Sequence, residues 1–286
     1  MSLLSLVEIG IATKNRWPDL HHTLEQITAF GLGQLRTLIF DDASDTPCPY
    51  DVRAICAGAE LKRFDQSAGY IVRRNQLAQA MTAKYYLSLD DDSFPVSGSL
   101  AEAVEFAESC DDLLCLSFPI FNPAIGQHQV RSLQPTPYRV RSFIGCGHLL
   151  RRDRFLELGG YREELVHQGE EVEIAARAFQ KGYHCYHFSG LQIHHTESDR
   201  GRSRWRVDYY SARNAVLWND WYVPSSVKLL KQVRSLIGRI VVFVRLPRFA
   251  HIQGHVAGFK AIASYKDCRQ PMPLHLYREW KRLPHC

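Results

Sequence analysis

The chain has 286 residues, 45% of them apolar and 23% charged, which is enough apolar material to build a core in one large domain or two small ones and predicts a folded globular protein rather than a disordered one. Charge is uneven: residues 200–286 hold 17 Lys and Arg against 4 Asp and Glu, and residues 1–199 hold 18 against 26, so a tail near +13 follows a body near −8. A basic tail suits nucleic acid, an anionic membrane surface or a phosphorylated substrate. No apolar run reaches the roughly 18 residues of a spanning helix, so none is expected.

Along the chain, "LVEIGIATKN" (6–15) reads as a buried strand running into a loop. Pro18 suits a first helical turn, after which Leu20, Leu24 and Ile27 fall on one helical face. "LRTLIFDD" (35–42) is a second strand ending in carboxylates, followed by a short run at 61–64 and a helical stretch at 71–81. "YYLSLDDDSF" (85–94) is a third strand that ends in Asp90, Asp91 and Asp92. "SLAEAVEFAES" then places Ser99 and Glu102 at capping-box spacing ahead of the apolar run at 113–118. Strands alternating with helices predict an α/β protein with a mostly parallel sheet.

The second half has weaker periodicity. Residues 134–165 mix turn residues with short apolar runs, and a helix is expected over 171–181 with Ala175, Ala176 and Phe179 inward. "KGYHCYHFSGLQIHHTES" reads as a strand and loop carrying His194 and His195. "LIGRIVVFVRL" (236–246) is too short to span a membrane and contains Arg239 and Arg245, so a core helix or strand is the simpler reading and a surface-lying helix the other. The eight cysteines are scattered without a Cys-x-x-Cys pair and no secretory signal opens the chain, which predicts reduced thiols in a cytosolic protein.

In α/β sheets ligands collect at the carboxyl ends of strands, where the polar clusters after Ala12, Phe40 and Leu89 fall. Three adjacent carboxylates repel one another and need either full solvation or a cation. Because Tyr85, Tyr86, Leu87 and Leu89 precede them, the aspartates emerge from a buried strand, where Mg²⁺ or Mn²⁺ held with diphosphate oxygens would relieve the repulsion. Glu170 and Glu171 open a predicted helix, either complementing its dipole or supplying a general base for an incoming hydroxyl. His194 and His195 offer imidazole ligands or packing. A zinc site from His184, Cys185, His187 and His194 matches no common spacing.

Taken in order, these segments resemble the family 2 inverting glycosyltransferases of the GT-A fold, especially the bacterial branch, rhamnosyltransferases among it, that adds sugars to surface polysaccharides. The resemblance spans about residues 5–225 and rests on "IGIATKNR", "LIFDDASD", "SAGYIVRRNQLAQA", "LSLDDDSF", "GCGHLLRRDRFLELGGYREEL", "GEEVEIAARAFQKGY", "IHHTES" and "YYSARNAVL". It implies a Rossmann-like, mostly parallel sheet flanked by helices. The catalytic domain would cover 1–225, with a nucleotide-binding half at about 1–120 and an acceptor half at about 121–225, and 226–286 would form a helical, basic extension.

By the same resemblance Ala12, Thr13, Asn15, Arg16, Asp41, Asp42, Gly69 and Arg74 would meet the nucleotide sugar, with Asp90 or Asp91 at the ribose. Asp92 would ligate Mn²⁺ or Mg²⁺ bridging the donor diphosphate, completed by His195 or His194. Glu171, beside Glu170, would deprotonate the acceptor. The chain departs from the family in the middle Asp of its Asp-x-Asp motif and in having Glu where the base is usually Asp. The implied donor is a UDP- or dTDP-sugar, and the implied acceptor a saccharide or lipid-linked saccharide. The protein would be cytoplasmic, with Arg200, Arg202, Arg204 and Arg206 either holding a phosphate or an anionic lipid at the inner face of the membrane or forming a solvated basic face. Two other readings compete. A haloacid dehalogenase-type phosphotransferase also sets Asp-x-Asp at a strand end, but with its first Asp near the chain start. A nucleic-acid-binding protein would stack bases on Trp205, Tyr209, Tyr210, Trp218, Trp221 and Tyr222, although the acidic body opposes it and no nucleic acid partner is expected.

Overall fold

The first apolar run forms strand β1 (Val7–Thr13) in the computed structural model, which describes residues 3–197, 203–245 and 248–286. It is followed by α1 (Trp17–Ala29), β2 (Thr37–Asp41), a short α2 (Val52–Ile55), β3 (Ala59–Arg63), α3 (Tyr70–Ala80) and β4 (Tyr85–Asp90). Pro18 lies in the first turn of α1, and Leu20, Leu24 and Ile27 are buried as their spacing predicts. After β5 (Ser93–Gly98), the Ser99 side chain caps α4 (Leu100–Ser109) by accepting from the Glu102 amide. The reciprocal arm of the capping box is replaced: the Ser99 amide donates to the Gly190 carbonyl at 2.8 Å. The run at 113–118 becomes β6 (Leu113–Ser117).

Two short strands follow, β7 (Ile120–Asn122) and β8 (Gln127–Val130), and the weakly periodic stretch at 134–165 contains β9 (Tyr138–Val140), β10 (Gly147–Arg151) and α5 (Arg152–Glu157). Strands this short carry too few side chains to display a period of two. Next come α6 (Glu170–Gln180), β11 (His184–His187) and β12 (Leu191–His195). The single strand and loop expected at 181–198 is therefore two strands, and they join different sheets. The large sheet has the order β3-β2-β1-β4-β10-β6-β11-β9, and the small one β5-β12-β7-β8. Strands β3, β2, β1 and β4 run parallel to one another, as do β6 and β11, whereas β10 is antiparallel to β4 and β6 and β9 is antiparallel to β11.

Alternation along the strands sends Leu38, Phe40, Tyr86 and Leu150 into one core and Ile9, Ile11, Ile39, Leu87, Leu89 and Leu149 into another, one on each side of the large sheet. Both faces are covered, which explains the continuous apolar runs of β1, β2 and β4. The chain continues through α7 (Arg204–Tyr222), α8 (Ser225–Arg245), α9 (Phe249–Ala261) and α10 (Leu274–Arg282). Helices α7 and α9 pack backbone to backbone: a Cβ at Gly254 would overlap the Tyr209 carbonyl. Helix α10 returns to the body, burying Tyr277 and Trp280, and stacks Trp280 on Trp218 with ring centroids 5.0 Å apart.

Two expectations change here. Trp221 and Tyr222 are core residues and Trp218 packs against them, leaving Trp205, 53% exposed, stacked on Tyr209, so the described aromatics do not form the open platform that binding of single strands requires. Residues 236–245 of the run lie on α8, where Leu236, Ile237 and Val241 are exposed rather than in a core. Leu246 falls outside the described residues. All eight cysteines are free thiols.

Candidate active site

The parallel register aligns Thr13 with Asp41 and Ala12 with both Phe40 and Asp90, so the ends of β1, β2 and β4 form one edge. Several expected nucleotide contacts shape the loops at this edge. Asp41 is buried and accepts from the Ser44 amide at 2.9 Å and hydroxyl at 2.5 Å. Asp42 accepts from Ser67 Oγ (2.6 Å), the Ala68 and Gly69 amides (2.8 and 2.9 Å) and Arg73 Nε (2.7 Å). Burial alone would raise the pKa of Asp42, but these donors outweigh it and hold the carboxylate below its ordinary range. They also fix Gly69, at φ +92°, as the N-cap of α3, the helix that presents Arg74. Asn15, at φ +58°, exchanges side-chain hydrogen bonds with Asp45 and so staples the loop after β1 to the loop after β2.

Thr13, Arg16 and Arg74 converge on the aspartates. Asp91 is 3% exposed, accepts from Thr13 Oγ1 at 2.7 Å and faces Arg16 Nε at 3.2 Å. Burial pushes its pKa up to about 8; Arg16 opposes the shift and the neighbouring Asp92 adds to it. Asp92 contacts Arg16 Nη2 and lies 3.2 Å from His195 Nε2. Burial would raise Asp92 as well, yet His195 and Arg16 hold it below its ordinary range. Asp90, more open, meets Arg74 Nη2 at 2.5 Å.

His195 arrives through the small sheet. Strands β5 and β12 pair antiparallel with Ser93 opposite His195 and Phe94 opposite His194, and the Thr196 amide donates to the Asp92 carbonyl at 3.0 Å. His195 Nδ1 contacts Gln129 Oε1 at 2.9 Å, which orients the ring with Nε2 toward Asp92. Strand alternation sends His194 to the other side, among Phe121 and Phe94 at centroid distances of 5.4 and 6.1 Å. Among the described residues, the side chains able to share a metal ion are Asp90, Asp92 and His195, with ligand atoms within 4.8 Å of one another. Of the alternatives that the resemblance left open, His195 rather than His194 is in this group, and Asp90, offered with Asp91 for the ribose, is in it too; among the described residues no such group includes His184, Cys185, His187 or His194. Two carboxylates and an imidazole suit a divalent ion such as Mn²⁺.

The glutamates sit at the start of α6, behind a loop in which Val166 (φ +63°), Gln168 (φ +69°) and the N-cap Gly169 (φ +91°) are all left-handed. Such backbone persists where the surroundings impose it. Here Asn214 of α7 imposes it, its Nδ2 lying 2.9, 2.8 and 2.7 Å from the carbonyls of Leu165, His167 and Gln168. Glu170 is 1% exposed and meets Arg74 Nη1 at 3.4 Å. Glu171 is partly exposed, and its Oε1 lies against the Gly145 α-carbon, where a Cβ would overlap it and come within 2.8 Å of Arg74 Nη1. Burial and the adjacent Glu170 drive Glu171 well above the ordinary carboxylate range, with Arg74 opposing. Arg74, itself buried, thus links the Asp-Asp-His group to the glutamate pair. Gly145 and Asn214 lie in the "GCG" and "SARN" segments, but single-residue spacing gave no reason to select either.

A family model described as glycosyl transferase family 2 matches residues 8–159. A search of curated protein sequences finds no significant match. Among solved structures, GalNAc-T7 with UDP, GalNAc and Mn²⁺ is 18% identical and covers 75% of this chain with a TM-score of 0.59; the match spans 48% of that chain, so this chain corresponds to about half of it. The mannosyltransferase PcManGT from Pyrobaculum calidifontis, in complex with GDP-Man and Mn²⁺, is 15% identical, covering 96% of this chain and 78% of its own with a TM-score of 0.57. TarS 1–349 from S. aureus with UDP-GlcNAc is 11% identical, covering 92% and 81% with a TM-score of 0.60. At these identities the likeness describes the fold, a large central α/β sheet flanked by helices.

Proposed function

The chain belongs to glycosyl transferase family 2 and is a glycosyltransferase, and from that premise we propose that it moves a sugar from a nucleoside-diphosphate donor to a hydroxyl of a saccharide or lipid-linked saccharide, with inversion, in surface polysaccharide synthesis of the bacterial, rhamnosyltransferase-like kind. The observation that carries this reading is Arg74, which touches Asp90 with one nitrogen and Glu170 with the other and so joins a cation-binding group to a carboxylate pair in one site.

Asp90, Asp92 and His195 would hold Mn²⁺ or Mg²⁺, which when bound would stabilise charge developing on the leaving diphosphate. Ala12, Thr13, Arg16 and Arg74 line the nucleotide side, with Asp91 ordering Thr13 and Arg16. Asp41, Asp42, Asn15 and Gly69 set the loops around them. Glu171, in its ionised form, removes the acceptor proton: burial and Glu170 raise its pKa, so that carboxylate is a stronger base than a solvated one, and Arg74 keeps the neighbouring Glu170 matched. The acceptor oxygen then attacks the anomeric carbon from the face opposite the diphosphate, in one displacement.

Thermal shift across UDP-, dTDP- and GDP-sugars with Mn²⁺ identifies the donor, because a ligand that binds the native state raises its stability. With that donor, Glu171→Gln is expected to bind normally and lose about 100-fold or more of transfer. A turnover number equal to wild type removes Glu171 from the role, and a product with retained anomeric configuration removes the single displacement.

Helix α8 supports a peripheral membrane contact for this cytoplasmic enzyme. It is amphipathic the wrong way round for a soluble body. Lys228 pairs inward with Asp220 at 2.9 Å and Gln232 donates to the Val216 carbonyl at 3.1 Å, while Leu229 (77% exposed), Leu230, Val233, Leu236, Ile237 and Val241 face outward. The surrounding tail, near +13, would repel a second copy of itself and attract anionic lipid. Arg204 and Arg206 are exposed at the start of α7, whereas Arg200 and Arg202 lie outside the described residues. No described helix is long and apolar enough to cross a membrane. Co-sedimentation with vesicles containing anionic lipid is expected and should be lost in Leu229→Glu/Val233→Glu; concentration-dependent dimerisation of the lipid-free protein, abolished by the same changes, would overturn this assignment.

A further inference from the structure

A cavity of about 400 Å³ opens between α6, α7, α8 and α10, and its rim includes Gln168, Gly169 and Val172, the residues flanking the glutamate pair. Four basic side chains line it: Arg141, Lys231, Lys281 and His285. The one acid in the lining, Glu173, is turned to other partners, lying 2.8 Å from Arg162 and 2.7 Å from Arg177. Among the described residues no carboxylate pairs with Arg141, Lys231 or Lys281. The larger cavity nearby, about 1000 Å³ and lined by Arg162 and Arg177, differs in this respect, since Glu173 matches both of its guanidinium groups.

The lining also carries donors that the protein leaves unused. The Trp218 and Trp280 indole N–H groups, the Tyr277 hydroxyl and Arg141 Nε are buried without hydrogen-bond partners, and Tyr277 and Trp280 are 6% and 4% exposed. Buried donors are nearly always satisfied, so a cluster of four at one pocket points to a ligand that supplies acceptors. The basic groups are also pressed together: burial, with Lys231 and Arg141 close by, lowers the pKa of Lys281, and burial, with Arg141 and Lys281 close by, lowers that of His285. An anion would reverse both penalties at once, neutralising the charge and accepting from the idle donors.

We propose that this pocket binds an anionic group of the acceptor, a phosphate or a carboxylate, through Arg141, Lys231, Lys281 and the Trp218, Tyr277 and Trp280 donors. The assignment to the acceptor rests on the reading of Glu171 as the base, because the pocket rim is one residue away from it. A phosphate would mark a lipid-diphosphate-linked acceptor, consistent with Lys231 projecting from the inner edge of the helix whose outer edge is apolar. A carboxylate would mark an acidic sugar.

The test titrates inorganic pyrophosphate and, separately, glucuronate into the full chain with a chelator present, so that no divalent ion recruits either to the aspartates, and reads tryptophan fluorescence and heat. Saturable binding of one of them is expected, roughly tenfold weaker in Lys281→Ala and weaker again in Lys231→Ala/Lys281→Ala. Lys281 is on the surface, so loss of the fold does not confound the result. Pyrophosphate binding identifies the phosphate source and glucuronate binding the acidic sugar. Absence of saturable binding by either, or binding indifferent to both lysines, overturns the proposal. Donor binding with Mn²⁺, measured on the same proteins, is expected to be unchanged; its failure in wild type would count against the strand-end site and leave the pocket result standing.

Discussion

Asn214 holds the carbonyl of Gln168 at 2.7 Å, and Gln168 is one of three left-handed residues in the four that precede Glu170. The same amide also reaches the carbonyls of Leu165 and His167, so a single side chain of α7 fixes the backbone that aims the glutamate pair. Asn214→Ala is expected to cost about 2–3 kcal/mol in urea unfolding, since it removes the donor from one buried and two part-buried carbonyls and releases left-handed backbone. Transfer should fall by more than this stability loss accounts for at temperatures where the variant is folded, while Mn²⁺-dependent donor binding stays the same. Equal losses of donor binding and transfer would reduce Asn214 to a general structural part.

The glutamate pair should leave a signature in stability against pH. Burial and mutual repulsion raise Glu171 well above its ordinary 4.5, so between 4.5 and the raised value the folded state binds a proton that the unfolded state has lost. Folding stability contributed by this group is therefore present below about pH 4.5 and declines as pH rises through the folded value. Glu171→Gln removes that decline, and at neutral pH the variant should be more stable than wild type by about 1–3 kcal/mol, although it has lost most transfer activity. Asp42 and Asp92, both held low, act in the opposite sense at acid pH and are common to both proteins, so the difference between the two curves reports the Glu170–Glu171 pair. A difference that does not change with pH would show that Glu171 is ordinarily ionised.

The two histidines should separate cleanly. His195→Ala is expected to weaken Mn²⁺ binding about 10–100-fold by electron paramagnetic resonance titration. His194→Ala should leave it unchanged and cost only the packing against Phe94 and Phe121. If His194→Ala weakened Mn²⁺ binding as much as His195→Ala, the pairing of β5 with β12 would be in the wrong register.

Much of the nucleotide-side architecture was legible because its signals are local. Apolar runs of five to seven residues that break into polar or acidic residues read as buried strands leading into polar loops, and β1, β2 and β4 fall where those runs are. The helix bearing Glu170 and Glu171 was legible for the same reason, with Ala175, Ala176 and Phe179 on its inner face. The second half was harder to read because strands of three to five residues, such as β7 and β9, give no usable period.

The division of labour among adjacent like residues could not be read from spacing. His194 and His195 differ by one residue, and which of them reaches Asp92 is set by the register of β12 on β5, where their partners Phe94 and Ser93 are 100 and 102 positions away in sequence. Asp91 and Asp92 are equally acidic in sequence, but Thr13 and Arg16 turn one inward and His195 meets the other. The fate of the aromatic tail was decided in the same way, by α10 returning to cover Trp218. By itself the sequence determined the elements, the acidic strand ends and the residue types available for chemistry, because these depend on neighbours a few positions apart. The tertiary structure decided which carboxylate, which imidazole and which glycine share one site, because that choice depends on pairings between strands and helices that local spacing does not encode.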